Sequence, residues 1–508
     1  MIQPHLMTSF DPHSKASIAA LALVILGSYF AARCVYLIYF SPLRNVPGPW
    51  HTAFTNLWIN SHVVRMQKSV AIQQLFERYG PIVRIGPGKV AFQDYAATKE
   101  VYTTQKFDKS VYYETFVLND DKHTFVIRDE AAHTAHRKKF ASHYTPTNIN
   151  RFQPEVYNFV HQMIDGVFGF AETNTPIDCL AMIRHLSVDV LVDNAFGFQA
   201  ASLTKWAAGE EDPLSVAIHD FPPLGVVFDD DSELTISTAG GRKGKVHRPC
   251  NMLLLNVKCQ FVITRLGEVR SAMDEGKLDS SDKWMTARLL EQQDSPTGMS
   301  QREVIAETVG HVIAGADTTS IGMGFMLWML SQRPDIMQRL RDEVDHAMPD
   351  ARTLPDIETL QDLPYLNAFI KEGDILEREV RGAQPFRLMG HALPPGTVVG
   401  TQAWSAHRDP QVYLEPLAFT PERWLPTKDD TERLARMHQQ WMPFGLGSRT
   451  CVGQRLATMV MRVCLVSIVR NFDVVAPPET TPKSMTPAES FVIFPTSMKC
   501  KLQFVPRV

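Results

Sequence analysis

Residues 441–457, WMPFGLGSRTCVGQRLA, place one cysteine, Cys451, two positions after Arg449, among Gly445, Gly447 and Gly453, and directly before a run of helical character. A thiolate is the nucleophilic and metal-binding form of cysteine, and nearby cations, free backbone N–H groups and a helix N-terminus all favour it. Glycines remove the side chains that would keep backbone amides or a flat ligand from the sulfur. Phe444 stands where it can shield one side. Without the neighbouring pattern, such a cysteine would read as a small buried hydrophobe beside a turn.

A second stretch, AGADTT at residues 314–319, sets an acid and two alcohols inside an apolar run that includes Val312, Ile313 and Met323. Asp317 and Thr318 are therefore candidates for moving protons, and a satisfied polar notch in a buried helix is the alternative. Gly315 costs about 1 kcal/mol relative to alanine in a helix interior. That cost predicts a ligand lying against the helix there. Thr318 can bond the carbonyl of Ala314 and locally open the helical ladder.

These groups need rigid carriers. Ser300 and Glu303 form an S-x-x-E capping box, and no proline interrupts the sequence from there to about Gln332, so one long helix should carry Asp317 and Thr318. HTAHRKKF, residues 133–140, puts His133 and Arg137 on one helical face; alone, this basic cluster would be a solvated surface. Further helical character runs over residues 334–346, and GTVVGT, residues 396–401, reads as a strand.

Written out, Phe444-x-x-Gly447-x-Arg449-x-Cys451-x-Gly453 resembles the haem-binding signature of the haem-thiolate monooxygenases, the cytochrome P-450 family. The resemblance implies that Cys451 is the proximal ligand of haem b iron, that Arg449 pairs with a propionate, and that Gly447 and Gly453 let the loop pack under the porphyrin. Thiolate ligation favours O–O cleavage. AGADTT resembles the acid-alcohol motif of the family's long distal helix, which makes Thr318 the holder of the oxygen species and Asp317 its proton source. FTPERWLP, residues 419–426, resembles the meander, in which Arg423 binds back to a glutamate, here Glu372. Residues 133–140 resemble the helix over the haem edge, with His133 where the family commonly has tryptophan and Arg137 as a propionate ligand. The implied fold is mainly α with small β-sheets, a single haem domain after an N-terminal transmembrane helix.

The chain has 508 residues, 44% of them hydrophobic, with 51 Lys plus Arg against 55 Asp plus Glu, so no basic excess argues for nucleic acid. Its seven cysteines form no C-x-x-C pair, which fits a reducing compartment. Residues 16–40 carry one charge, Arg33, and as a helix would span roughly 37 Å, enough for a hydrocarbon core of about 30 Å. A signal peptide with its apolar core at residues 18–26 is the alternative. Lys15 precedes this run, whereas Arg44, Arg65, Lys68, Arg78 and Arg84 follow it, so the positive-inside rule places the main domain in the cytosol. The organisation read is a tail at residues 1–15, an anchor at 16–40, a proline-rich hinge at 41–50 and the haem-thiolate domain at 51–508. The expected setting is the endoplasmic reticulum, with NADPH-cytochrome reductase and cytochrome b5 as electron donors. Arg137, Lys138, Lys139, Arg449 and Arg455 offer a basic docking face.

One motif breaks. The family's Glu-x-x-Arg precedes the meander, and LPYLNAFIKE, residues 363–372, resembles its lead-in, yet the position three after Glu372 is Ile375. Asp374 with Arg378 and Glu377 with Arg381 would be compensating i,i+4 pairs on a helix. A true variant, a misplaced exon boundary and a poorly folding chain are the three explanations; intact text on both sides favours the exon boundary. The function expected is insertion of one oxygen atom from dioxygen into a lipophilic molecule, in fungal secondary metabolism on a terpenoid or polyketide scaffold. A haem-binding but silent protein and a haem-thiolate isomerase or dehydratase are the alternatives. The loops at residues 112–118, 221–228 and 490–494 are the expected substrate contacts.

Overall fold

The computed structural model describes residues 15–117, 121–210, 212–219, 249–278, 283–295, 298–370, 375–427, 430–489 and 492–507. Helices dominate, as the sequence predicts. The long helix runs from Gln301 to Gln332 without interruption, and its capping box is formed on both sides, Glu303 N–H donating to Ser300 Oγ at 3.3 Å and Ser300 N–H to Glu303 Oε2 at 2.8 Å. The predicted helix after it is present as Pro334–Ala347, with proline in its first turn where no N–H is needed.

The long helix packs along a buttress helix, Cys179–Phe196, which is buried on nearly every face. Two glycines permit that approach. A Cβ on Gly315 would stand 2.8 Å from both methyl carbons of Leu191, and one on Gly324 would overlap Leu180. Gly315 is thus explained by helix–helix packing on the buttress side, a correction to the expectation of a ligand at that point. Val, Leu and Ile side chains of these two helices, of Gln153–Glu172 and of the cysteine helix, Gln454–Asn471, form the main core, each full burial contributing roughly 1.5–3 kcal/mol.

The largest sheet has four strands in the spatial order Ile82–Gly86, Lys89–Phe92, Val398–Gln402, Ile375–Glu379. The strand predicted at residues 396–401 is its third member. Its fourth replaces the helix expected there: Ile375 to Glu379 pair antiparallel with Gln402 to Val398. In a strand, residues four apart do not meet as they do on a helix, so Glu377 and Arg381 do not pair with each other. Glu377 instead meets Lys68 at 2.6 Å, Arg381 meets Asp108 and Asp129, and Asp374 lies outside the described residues.

At the N-terminal end, Lys15–Tyr39 is helical, and its segment Ile18–Tyr39, 22 residues of mean hydropathy 2.0 with none buried, is long and apolar enough to cross a membrane. The chain after it is not a free linker. Ser41, Leu43 and Val46 are buried, and the buried guanidinium of Arg84 donates to the carbonyls of Leu37, Ala53, Gly86 and Pro87 and to Ser41 Oγ. Leu37 belongs to the last turn of this N-terminal helix, whose carbonyls lack helical partners and favour a cation.

Candidate active site

The cysteine loop is shaped by two reversed glycines, Gly445 at φ 73° and Gly447 at φ 71°, a region open to glycine without steric cost. A Cβ on Gly447 would also collide with the carbonyl of Tyr102. The turn closes where Cys451 N–H donates to the Phe444 carbonyl at 2.8 Å. Phe444 itself packs against the main core. At Gly453 a Cβ would meet no protein atom within 4 Å. Cys451 is exposed, yet burial pushes its pKa above the ordinary thiol value, opposed by the N–H groups of Gly453 and Gln454 and by Arg137.

The long helix has a matching stripe. Ala314 and Thr318, one turn apart, are exposed, whereas Val312, Ile313, Ala316, Asp317, Thr319 and Ser320 are buried. Thr318 Oγ1 donates to the Ala314 carbonyl at 2.7 Å, as predicted, though the helix stays continuous around it. Asp317 faces the other way. Its Oδ1 lies 3.3 Å from Nε of Arg184 on the buttress helix, its Oδ2 has no hydrogen-bond partner, and burial raises its pKa to about 6 against the pull of Arg184 and Lys258.

A cluster of cations borders the cysteine loop. Arg449 donates from Nε to Glu130 Oε2 at 2.9 Å and from its other nitrogens to the carbonyls of Ile127 and Arg128. Arg137, on the helix Glu130–Lys138, donates to the carbonyls of Thr450 at 2.6 Å and Ser448 at 3.3 Å. Lys109 donates to the Phe125 carbonyl and sits over the rings of Tyr113 and Phe125. Arg378 donates to the Glu377 carbonyl and lies over the ring of Tyr102. Between them is His133, 2% exposed, whose Nδ1 bonds nothing; burial, then Arg449, Lys109, Arg137 and Arg378, lower its pKa to about 3. Burial likewise holds Lys109 well below the ordinary lysine value, with the same arginines adding to it and Glu130 opposing. Arg137, Arg378, Arg449 and Lys109 are opposed by Glu130 and, at Arg137, also by Glu307; the positive charge left over out of water costs several kcal/mol per ion unless an anion completes the set.

The family model of cytochrome P450 matches residues 46–502. The chain belongs to the cytochrome P450 family. Relatives are fungal: it is 26% identical over 514 residues to cytochrome P450 monooxygenase cypX of Dothistroma septosporum, covering 97% of this chain and 96% of that protein. It is 26% identical over 510 residues to cytochrome P450 monooxygenase aflV of Aspergillus parasiticus, covering 95% and 96%. It is 27% identical over 492 residues to benzoate 4-monooxygenase bphA of Aspergillus niger, covering 89% and 93%. The protein is thus a P450 monooxygenase, a haem-thiolate enzyme.

A haem fits the residues this P450 presents. Cys451 is exposed and its sulfur is supported by two N–H groups, and the two propionates of a haem would answer the cation excess and the orphaned Nδ1 of His133. Lys109 and Arg378 escaped the sequence reading. Neither sits in a local pattern that marks an anion site, and in the sequence Arg378 matches the spacing of a helical ion pair with Asp374; only the strand pairing brings it to Arg449.

Other expectations are corrected or left aside. The five basic residues expected to share a docking face do not: Arg137 and Arg449 turn inward, Lys139 donates to the Gly298 carbonyl at 3.0 Å, and only Lys138 and Arg455 are exposed. Arg423 is buried on the predicted meander and donates to the carbonyls of Thr420, Glu415 and Ala418. Glu372 lies outside the described residues, as do Leu118, residues 221–228 and Ser490 with Phe491. The described part of the first substrate loop is aromatic, Tyr112 and Phe116 stacking edge to face at 5.5 Å and Phe116 with Phe125 at 5.7 Å.

Proposed function

We propose that this P450 holds haem b through Cys451 and inserts one oxygen atom of dioxygen into a lipophilic molecule of fungal secondary metabolism, a terpenoid or polyketide scaffold. The observation that carries the reading is the exposed Cys451 thiol at a helix start beside an unbalanced cation cluster. Bound there, the haem would supply oxygen activation. The chain's own residues do the rest. Arg449, Arg137, Lys109, Arg378 and His133 Nδ1 hold and orient the propionates, and Gly447 and Gly453 keep side chains off the porphyrin face. Thr318 Oγ1 presents a hydroxyl on the exposed stripe. Asp317, with a pKa of about 6, exchanges protons near working pH, which suits a carrier; its route to Thr318 needs the carboxylate to leave Arg184. NADPH-cytochrome reductase and cytochrome b5 supply electrons. The anchor at residues 16–40 and the hinge at 41–50 hold the catalytic domain, residues 51–508, on the cytosolic side of the endoplasmic reticulum.

Thr318→Ala should keep haem but lose on the order of a hundredfold in coupled product formation, with NADPH oxidation diverted to peroxide. Unchanged coupling would return Thr318 to a structural role. Asp317→Asn has a second readout. The folded pKa is raised from 3.8 to about 6, so the native state binds the proton more tightly and Asp317's contribution falls as pH rises from about 4 to 6, by about 3 kcal/mol in all. Denaturant midpoints across that window should fall less for Asp317→Asn than for the wild type; parallel curves would contradict the assignment.

Removing residues 1–40 should release the protein from membranes with haem binding intact, because Arg84 keeps its acceptors at Ser41, Ala53, Gly86 and Pro87. Sedimentation with vesicles reads the first outcome and the Soret band the second. A truncated chain that still pellets with vesicles would place the membrane contact elsewhere.

A further inference from the structure

One turn before Ala314 on the long helix, His311 belongs to a hydrogen-bonded set that the proposed oxygen chemistry does not use. Glu307, 1% exposed, accepts at Oε2 from His136 Nε2 at 2.9 Å and from the Thr124 N–H at 2.8 Å, and its Oε1 lies 2.9 Å from His311 Nε2. His311 Nδ1 lies 3.0 Å from the hydroxyl of Tyr144 and 3.2 Å from the sulfur of Met285. The ring of Phe140 closes on that of His311 at 5.0 Å, and His123 and His143 lie within electrostatic reach.

The tautomer follows from the partners. Burial opposes ionisation of Glu307, but its bonds from His136 and His311 outweigh it and hold the carboxyl well below its usual range. An ionised carboxylate only accepts, so His311 Nε2 carries a proton; in the neutral ring Nδ1 is then the free lone pair and Tyr144 the donor. This is the logic of a carboxylate–histidine–hydroxyl triad, in which the acid fixes the ring and the ring takes a proton from the hydroxyl. Tyr144 cannot simply ionise: burial, Glu307 and Cys451 all push its pKa up. A phenol that cannot ionise but has a base on its proton is set up to lose proton and electron together. Tyr144 lies within electrostatic reach of Cys451, and Tyr144 and Val452, next to Cys451, pack on the same core cluster.

We propose that Tyr144 is a redox-active tyrosine that drains oxidising equivalents from the haem-thiolate site when no substrate takes them. It rests on the haem-thiolate reading and goes beyond it. In the step, the O–H bond of Tyr144 breaks, its proton moves to Nδ1 of His311, and one electron passes to a haem centre that oxygen or a peracid has oxidised above its ferric state. His311 becomes an imidazolium held at Nε2 by Glu307, and Met285 sulfur can share the new Nδ1 proton. An electron from the flavoprotein donor and return of the proton restore the phenol.

The test uses haem-loaded full-length protein, checked by its reduced carbon monoxide spectrum, which also tests the haem reading independently. Ferric protein mixed with a peracid and frozen within milliseconds should show a tyrosyl radical by electron paramagnetic resonance, narrowed by ring-deuterated tyrosine. Radical formation should vanish in Tyr144→Phe and slow on the order of a hundredfold in His311→Gln, the scale of a positioned proton acceptor. In the wild type, without any variant, the phenoxyl oxygen should show hyperfine coupling to an exchangeable imidazole proton, lost in deuterium oxide. An undiminished radical in Tyr144→Phe, a wild-type rate in His311→Gln, or no such coupling would each overturn the proposal.

Discussion

Cys451→Ala should abolish the red-shifted Soret band that thiolate-ligated haem gives when reduced under carbon monoxide, while leaving the chain folded. No other described cysteine can take over. Cys179, Cys259, Cys464 and Cys500 are buried, and burial pushes the thiols of Cys179 and Cys464 far from ionisation. Cys34 lies in the N-terminal apolar helix. The substitution touches little else. The bond that closes the loop runs from the backbone N–H of residue 451 to Phe444, and an exposed cysteine replaced by alanine should cost less than about 1 kcal/mol of stability. A mutant that keeps the thiolate spectrum would overturn the ligand assignment; one that loses it and melts at the wild-type temperature separates ligation from folding.

The second large effect should appear at the broken motif: the chain as written should load haem poorly, and sequencing its transcript should reveal a longer insert carrying Glu-x-x-Arg. The lead-in helix is described only over Pro364–Phe369, and by Ile375 the chain is already a strand in register with Gln402. The position where the family carries its arginine is thus a hydrogen-bonded member of a sheet. Neither nearby arginine supplies the lost group: Arg378 is spent at the cation cluster and Arg381 on Asp108 and Asp129. Removing one partner of a buried ion pair costs several kcal/mol, and each 1.4 kcal/mol is about tenfold in occupancy. The ratio of Soret to protein absorbance in the purified chain should therefore be low and rise on the order of tenfold when the insert is restored. A confirmed transcript together with a fully loaded, active protein would refute this account.

The parts of the molecule legible in its residues are those built from neighbours in the chain. The capping box at Ser300 and Glu303, the long helix to Gln332, the bond from Thr318 to the carbonyl four residues earlier and the reversed glycines around Cys451 each depend on a few consecutive positions, and backbone sterics and hydrogen-bond geometry determine them locally. Patterning also marked Arg137 and Arg449, because the motif spacing carries them. What the packing decided lies far apart in sequence. Asp317 turns to Arg184, Gly315 to Leu191, Arg378 comes to Arg449 through one strand pairing, and Glu307 joins His136 on another helix. A helical pattern specifies which residues share a face but not which element will cover it, and a buried charge takes whichever partner the tertiary fold brings within about 3 Å. Hence the candidate sulfur ligand could be read from the chain, whereas the cation cluster beside it and the Glu307–His311–Tyr144 set exist only once the helices and the sheet have packed.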